Sequence, residues 1–223
     1  MKKILSHADI MELQRWNTTP IYNGWEQITK HNSFCEGFNL EPVTDFRPQI
    51  RPMVGNAEVV VIEPENPDLP DRNINAWVDY WEYVASVPGP KILVVQDSDK
   101  STIYGALWGE IISNIHDALG WVGTITDGGI CDISEMNNTG IKALARGVCI
   151  DHAKLCPICW NCEVEVFGWK ISPGQLIHAD HYDYLVIPEK DHKNLLEAAH
   201  FLDSNKCKTM IAATQRFRSK GEW

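Results

Sequence analysis

Hydrophobic positions change their spacing repeatedly along this chain, and each change marks an element. Ser6 followed by Asp9 has the signature of a helix start, a capping hydroxyl with an acid three residues on. Thr19-Pro20 offers a cap and a first-turn proline to a second short helix over Ile21 to Lys30. Met53 to Ile62 then reads as a strand, stopped by Glu63-Pro64-Glu65-Asn66-Pro67, whose prolines and acids predict a surface loop. Ile74, Trp77, Trp81 and Val84 recur at helical spacing, so Asn73 to Val87 is predicted to be an amphipathic helix. Its tryptophan stripe is expected to pack in the core rather than to carry a cofactor. Pro88-Gly89-Pro90 breaks that helix, and Lys91-Ile92-Leu93-Val94-Val95 is an apolar strand delivering Gln96, Asp97 and Asp99 to its C-terminal end. Gly105 to Gly120 is predicted to form a helix that buries Leu107, Ile111, Ile112, Ile115 and Leu119, closed by Gly120. A strand from Trp121 to Thr126 follows and ends in Asp127-Gly128-Gly129.

Beyond residue 147 the pattern turns to β: Val148-Cys149-Ile150, Cys162 to Ile171, the turn Ser172-Pro173-Gly174, Leu176-Ile177, and Tyr184 to Ile187. A final helix starts near Lys190. Strand, helix, strand order predicts an α/β domain whose site lies where strands end and helices begin. With no repeat or linker in the pattern, one domain over residues 1–223 is the default.

The 44% hydrophobic content suits a filled core, while a net charge of −10 disfavours direct binding to nucleic acid. No apolar run reaches the length of a membrane helix, and the opening Met1 to Asp9 lacks a signal-peptide core, so a cytoplasmic protein is expected. Seven cysteines, an odd number at low density, read as reduced thiols rather than a disulfide framework.

Three constellations could carry chemistry. Cys156, Cys159 and Cys162, with His152 four residues ahead, have the close spacing of a zinc or iron–sulfur site but lack a second ligand pair, which favours free thiols. His178, Asp180, His181 and Asp183 could serve a transition metal, yet the surrounding alternation and prolines frame a β-hairpin that sends His178 and Asp180 to one face. The third joins Gly105 to Ile112 with the segment from Asp127 to Glu135. Glycines at a helix start free N–H groups for an anion, and Asp132 and Glu135 are hard oxygen ligands suited to Mg²⁺. A glycine turn with solvated acids is the alternative.

At this third constellation the sequence resembles the family of the regulator of ribonuclease activity A. The family includes class II pyruvate aldolases acting on 4-hydroxy-4-methyl-2-oxoglutarate. The resemblance runs through Pro52-Met53-Val54-Gly55, Pro88-Gly89, Ile92 to Asp97, Ala106 to Glu110, Asp127 to Asp132, and Pro173 to Asp180 leading to Val186-Ile187-Pro188. Many members carry a label as demethylmenaquinone methyltransferases. No glycine fingerprint for S-adenosylmethionine occurs here to support it.

The resemblance implies a swivelling β/β/α fold, like the phosphohistidine domain, with flanking N- and C-terminal helices. It also implies assembly as a homotrimer or homohexamer with sites between subunits. It implies a lyase that takes a small anionic 2-oxo or hydroxy acid through an enolate, with Mg²⁺ or Mn²⁺. Glu110 and Asp132 would be catalytic, and Asp132 and Glu135 would hold the metal. Trp108, Gly109, Ile111, Ile112 and Cys131 would bind substrate. Cys131 stands where the family's aldolases keep an arginine, and a neutral thiol cannot replace a fixed cation. Two alternatives therefore remain. One is a noncatalytic regulator of an RNA-processing enzyme; the other is a divergent enzyme using Cys131 or the His178, Asp180 and His181 cluster.

Overall fold

The computed structural model describes residues 5–32, 36–66, 68, 74–87, 89–99, 102–152 and 155–205. Met1 to Ile4, Pro67, Asn73 and Pro88, each part of an expected element or loop above, lie outside them. In chain order the first elements are α1 (His7–Leu13), α2 (Thr18–Glu26), β1 (Thr44–Asp45), β2 (Met53–Ile62), α3 (Ala76–Ser86) and β3 (Lys91–Asp97). There follow β4 (Ala106–Trp108), α4 (Glu110–Ala118), β5 (Trp121–Ile130), β6 (Lys142–Val148) and β7 (Pro157–Trp160). The remainder comprises β8 (Val164–Val166), β9 (Trp169–Ile171), β10 (Leu176–Ala179), β11 (Tyr184–Ile187) and α5 (His192–Asn205).

One sheet runs in the order β1-β6-β5-β3-β2-β10-β11, with β4 added to β5 and β7 to β2. Its middle, β6-β5-β3-β2, is parallel, and β1 and the β10–β11 hairpin flank it antiparallel. Parallel strands are covered on both faces, which is why β2 and β3 read as unbroken apolar runs. Alternation divides each run between two cores. Ala57, Val59, Ile92 and Val94 pack beneath the β8–β9 hairpin, against Val164, Val166, Phe167 and Ile171. Val60, Ile62, Leu93 and Val95 face the other way, toward Tyr80 and Val84 of α3. A third core joins α1, α2 and α5 to the outer strands through Trp25, Leu185, Ile187 and Leu195. The layering is hairpin, sheet, helices: a mixed β/β/α fold with helices at both ends of the described chain.

The N-terminal capping box forms, with Asp9 N–H donating to the Ser6 hydroxyl at 3.2 Å and Ser6 N–H to the Asp9 carboxylate at 2.8 Å. Elsewhere the expected bounds shift. Helix α2 starts at Thr18 on Asn17 and ends at Glu26, so Pro20 is its third residue. In α3 the buried stripe is Ala76, Tyr80 and Val84, four apart; Trp77 and Trp81 are half-buried and Ile74 lies outside at 84% exposure.

The largest departures lie between residues 105 and 148. Ala106 to Trp108 form a strand, not a helix, because β5 offers a parallel edge with Ala106 opposite Gly129 and Trp108 opposite Ile130. Strand β5 accordingly continues through Asp127-Gly128-Gly129 to Ile130, and the turn falls at residues 131–134. Strand β6 begins at Lys142 and ends at Val148, where a new strand was expected to start. Helix α4 also faces opposite to expectation: Ser113 and His116 are its buried residues, while Ile111 is 73% exposed and Ile115 and Leu119 are also exposed. Gly120 follows α4 with φ +78°, the left-handed stop that glycine allows at least cost.

Candidate functional site

The chain enters the site from two sides. From β4, Gly109 caps α4, so the helix begins at Glu110 directly beyond the sheet. From β5, Cys131 N–H donates to the Trp108 carbonyl at 2.9 Å, which carries Cys131 and Asp132 alongside Gly109. A Cβ on Gly109 would fall 2.5 Å from Cys131 Sγ and 2.8 Å from Asp132 Oδ2, so only glycine fits the cradle. Asp132 adopts φ +51°, a left-handed conformation that strains an L-residue, and its carbonyl accepts the Met136 N–H at 3.0 Å to start a 3₁₀ turn (Glu135–Asn138). Its carboxylate lies 3.4 Å from the Glu110 N–H at the positive end of α4.

These residues open on a cavity of about 260 Å³. Leu107, Ile112, Trp77 and Leu155 supply its apolar wall, and the Trp77 indole N–H donates to the Leu155 carbonyl at 3.1 Å to hold that wall together. Glu110, Cys131, Asp132 and His152 line the remainder. Among the described lining residues there is no arginine or lysine. The His152 ring is 89% exposed and lies 3.4 Å from Asp151. Burial, and then the Asp132 and Glu135 carboxylates and the neighbouring Cys149, push the Cys131 thiol up to about 12. Cys131 thus stays protonated at neutral pH, which argues against a nucleophilic role.

Beneath α4, His116 is packed among Trp81, Trp108 and Trp121, with ring centroids 5.5, 4.8 and 4.9 Å away. Its Nδ1 donates to the Ile112 carbonyl at 2.8 Å, and burial lowers its pKa to about 4. Its Nε2, the indole nitrogens of Trp108 and Trp121, and the Ser113 hydroxyl are buried without a hydrogen-bond partner.

Glu110, Gly109, Ile111, Ile112, Cys131 and Asp132 therefore converge on one cavity, as the sequence suggested. Trp108 does not line it, its ring being fully buried against His116. Glu135 sits exposed on the 3₁₀ turn and does not line the cavity. Trp77 entered the sequence pattern only as core and Leu155 not at all, because their contact joins segments 78 residues apart.

The other constellations serve the scaffold. His178 is fully buried, with Nε2 donating to the Leu13 carbonyl at 3.2 Å and Nδ1 accepting from the Thr18 hydroxyl at 3.0 Å. Asp180 accepts the Thr18 and Tyr182 N–H groups at 2.7 and 2.8 Å. His181 lies outside, its ring tilted against Tyr182 with centroids 4.0 Å apart, so the two imidazoles do not meet. Cys156 is buried and free, but Cys159 and Cys162 are joined, sulfur to sulfur, which corrects the expectation that these thiols are all free. Among the described residues no three His, Cys, Asp or Glu side chains are grouped to hold a metal ion. Mg²⁺ needs fewer, since it keeps several waters and takes one or two carboxylates. Asp132, directed into a cradle that a Cβ would fill, fits such an ion; Glu135 does not share the cavity.

A second cavity, of about 270 Å³, lies between α2 and the β10–β11 turn, lined by Thr18, Tyr22, Phe38 and Tyr182 among others. None of the third constellation reaches it.

Comparison with known proteins agrees with this fold. An uncharacterised Pseudomonas syringae pv. tomato structure superposes with a TM-score of 0.73 at 20% identity, covering 96% of this chain and 95% of that one. A Streptomyces coelicolor structure, RraAS2, described as an unusual member of the RNase ES inhibitor RraA protein family, gives 0.71 at 18% identity, with 93% and 98% covered. Protein DlpA of Legionella pneumophila is 24% identical over 135 residues, 59% of this chain but only 22% of DlpA. The RraA-like family model, described as Aldolase/RraA, matches residues 21–185. The chain belongs to the RraA-like family.

Proposed function

We propose that this chain is a divalent-metal-dependent lyase of the aldolase or decarboxylase type, acting on a small 2-oxo or hydroxy acid through an enolate. The observation that carries this is the Asp132 carboxylate, held in a strained backbone against Gly109 and open to the first turn of α4 within one cavity. When bound, Mg²⁺ or Mn²⁺ supplies positive charge where oxygen becomes anionic during C–C cleavage. Asp132 is the residue that would hold it. The free N–H groups at Ile111 and Ile112 bind and orient the substrate carboxylate. Glu110, exposed at the mouth, moves the proton between solvent and the enolate carbon. The apolar wall of Trp77 and Leu155 excludes water from one side of the reacting carbon. Cys131 leaves room beside the substrate where a longer side chain would fill it.

The test is pyruvate with Mg²⁺ in D₂O, followed by ¹H NMR. Methyl protons should exchange and oxaloacetate should yield pyruvate; neither reaction above the protein-free rate would sink this function. We place the protein in the cytoplasm as one domain that self-associates as a trimer or hexamer, which would cover Ile111, Ile115 and Leu119 on α4. Among the described residues no helix is long and apolar enough to cross a membrane.

A second reading, a noncatalytic regulator that binds an RNA-processing enzyme through its acidic surface, is favoured by the neutral thiol at Cys131. Cys131→Arg separates the two. Exchange raised above that of the unaltered protein would identify a lyase short of one cation, and inactivity of both proteins, folded, would favour the regulator.

A further inference from the structure

Resting on the lyase reading, we propose that the Asp132 cavity selects 2-oxo or 2-hydroxy acids with one carboxylate and a branched apolar tail over dicarboxylic acids of similar length.

The cavity has two unlike ends. At one, the α4 N-terminus, Gly109 and Asp132 can receive a single carboxylate and its neighbouring oxygen together with a cation. At the other, Trp77, Leu107, Ile112 and Leu155 present carbon, and the one indole N–H at that end is already donated to the Leu155 carbonyl. A second carboxylate placed there would leave water without a hydrogen-bonding partner among the described residues, and it would lie in the field of Glu110 and Asp132. Cys131, which also lines the cavity, offers an uncharged thiol whose sulfur already faces the Trp108 carbonyl at 3.6 Å. His152 cannot stand in readily, because its ring is almost wholly in solvent beside Asp151. A tail the size of a leucine side chain gains from the same wall, and burying it is worth roughly tenfold or more in affinity.

The experiment titrates the protein, with excess Mg²⁺, with 4-methyl-2-oxopentanoate and separately with 2-oxoglutarate, following tryptophan fluorescence and ligand-observed NMR. The branched monoacid should bind about tenfold more tightly. Leu155→Ser should reduce its affinity several-fold and that of 2-oxoglutarate by less, narrowing the preference. Cys131→Arg should reverse the order by supplying a cation to the second carboxylate. Equal or tighter binding of 2-oxoglutarate to the unaltered protein overturns the selectivity and leaves an oxo-acid site standing. If neither acid binds while the protein is folded by circular dichroism, the lyase reading and the selectivity fall together. Should Leu155→Ser not fold, the reversal in Cys131→Arg decides alone: its absence overturns the proposal.

Discussion

Two buried histidines, His178 and His116, differ in how fully their ring nitrogens are satisfied, and the comparison separates two regions of the molecule. His178 ties β10 to α1 and α2 with both ring nitrogens bonded, and Asp180 beside it takes two backbone N–H groups. His116, under α4, uses one nitrogen and leaves the other unpartnered near two tryptophan N–H groups in the same condition. The outer surfaces differ as well. The face of α4 away from His116 exposes Ile111 and Ile115, whereas α2 and α5 bury Ile21, Trp25, Leu195 and Ala199 in a shared core. A buried polar group left without a partner is uncommon, and a cluster of them often marks a region with a further role. The unsatisfied part is also the part that holds the candidate site.

Acid should produce the largest effect and should strike both regions. Burial lowers His116 and His178 to about 4, below the ordinary value of 6.5. The unfolded chain therefore takes up protons first, so their contribution is intact above pH 6.5 and is lost as the pH falls toward 4. Each shift corresponds to about 3 kcal/mol. Asp97, which burial raises to about 6, shifts the other way and offsets part of that loss over the same range. Urea unfolding across this range checks the slope, and His178→Phe and His116→Phe should each remove about half of the histidine contribution. An unchanged slope in both variants would refute the assignment.

Removing single polar groups should separate the regions more sharply. Asp180→Ala strands two backbone N–H groups and should cost about 3 kcal/mol. Ser113→Ala removes a hydroxyl without a partner and should change stability by less than about 0.5 kcal/mol, or raise it. Thermal melts of the two variants decide whether the contrast is real. Within the site, Gly109→Ala should cost about 1–2 kcal/mol, since its methyl meets Cys131 and Asp132. It should also remove most of the pyruvate exchange, read by NMR. The smallest change in folding stability is expected from Ile111→Glu on the outward face of α4, about 0.5 kcal/mol or less. Light scattering should nevertheless show a smaller assembly, because that face would no longer be apolar.

Local chemistry made several elements legible in advance. A capping box needs only Ser6 and Asp9 in one turn, and strand β3 needs only its continuous apolar run ahead of Gln96 and Asp97. The β10–β11 hairpin follows from alternation bounded by prolines, and it pairs Ile177 with Val186 and His178 with Leu185. Gly109, Glu110, Cys131 and Asp132 were legible as a site through the order of motifs. Trp77 and Leu155, its far wall, were not, because they are 78 residues apart and meet only when α3 and β7 are packed.

Sequence by itself settled the family and the α/β character, since local patterning and the order of motifs along the chain carry both. Tertiary structure decided the rest. Ala106-Leu107-Trp108 suits a helix or a strand equally, and the open edge of β5 selects the strand by completing its hydrogen bonds. An amphipathic pattern states that α4 has two unlike faces but not which one turns inward. Here the polar face packs on the tryptophans and the apolar face points out, an orientation fixed by contacts with chain segments distant in sequence.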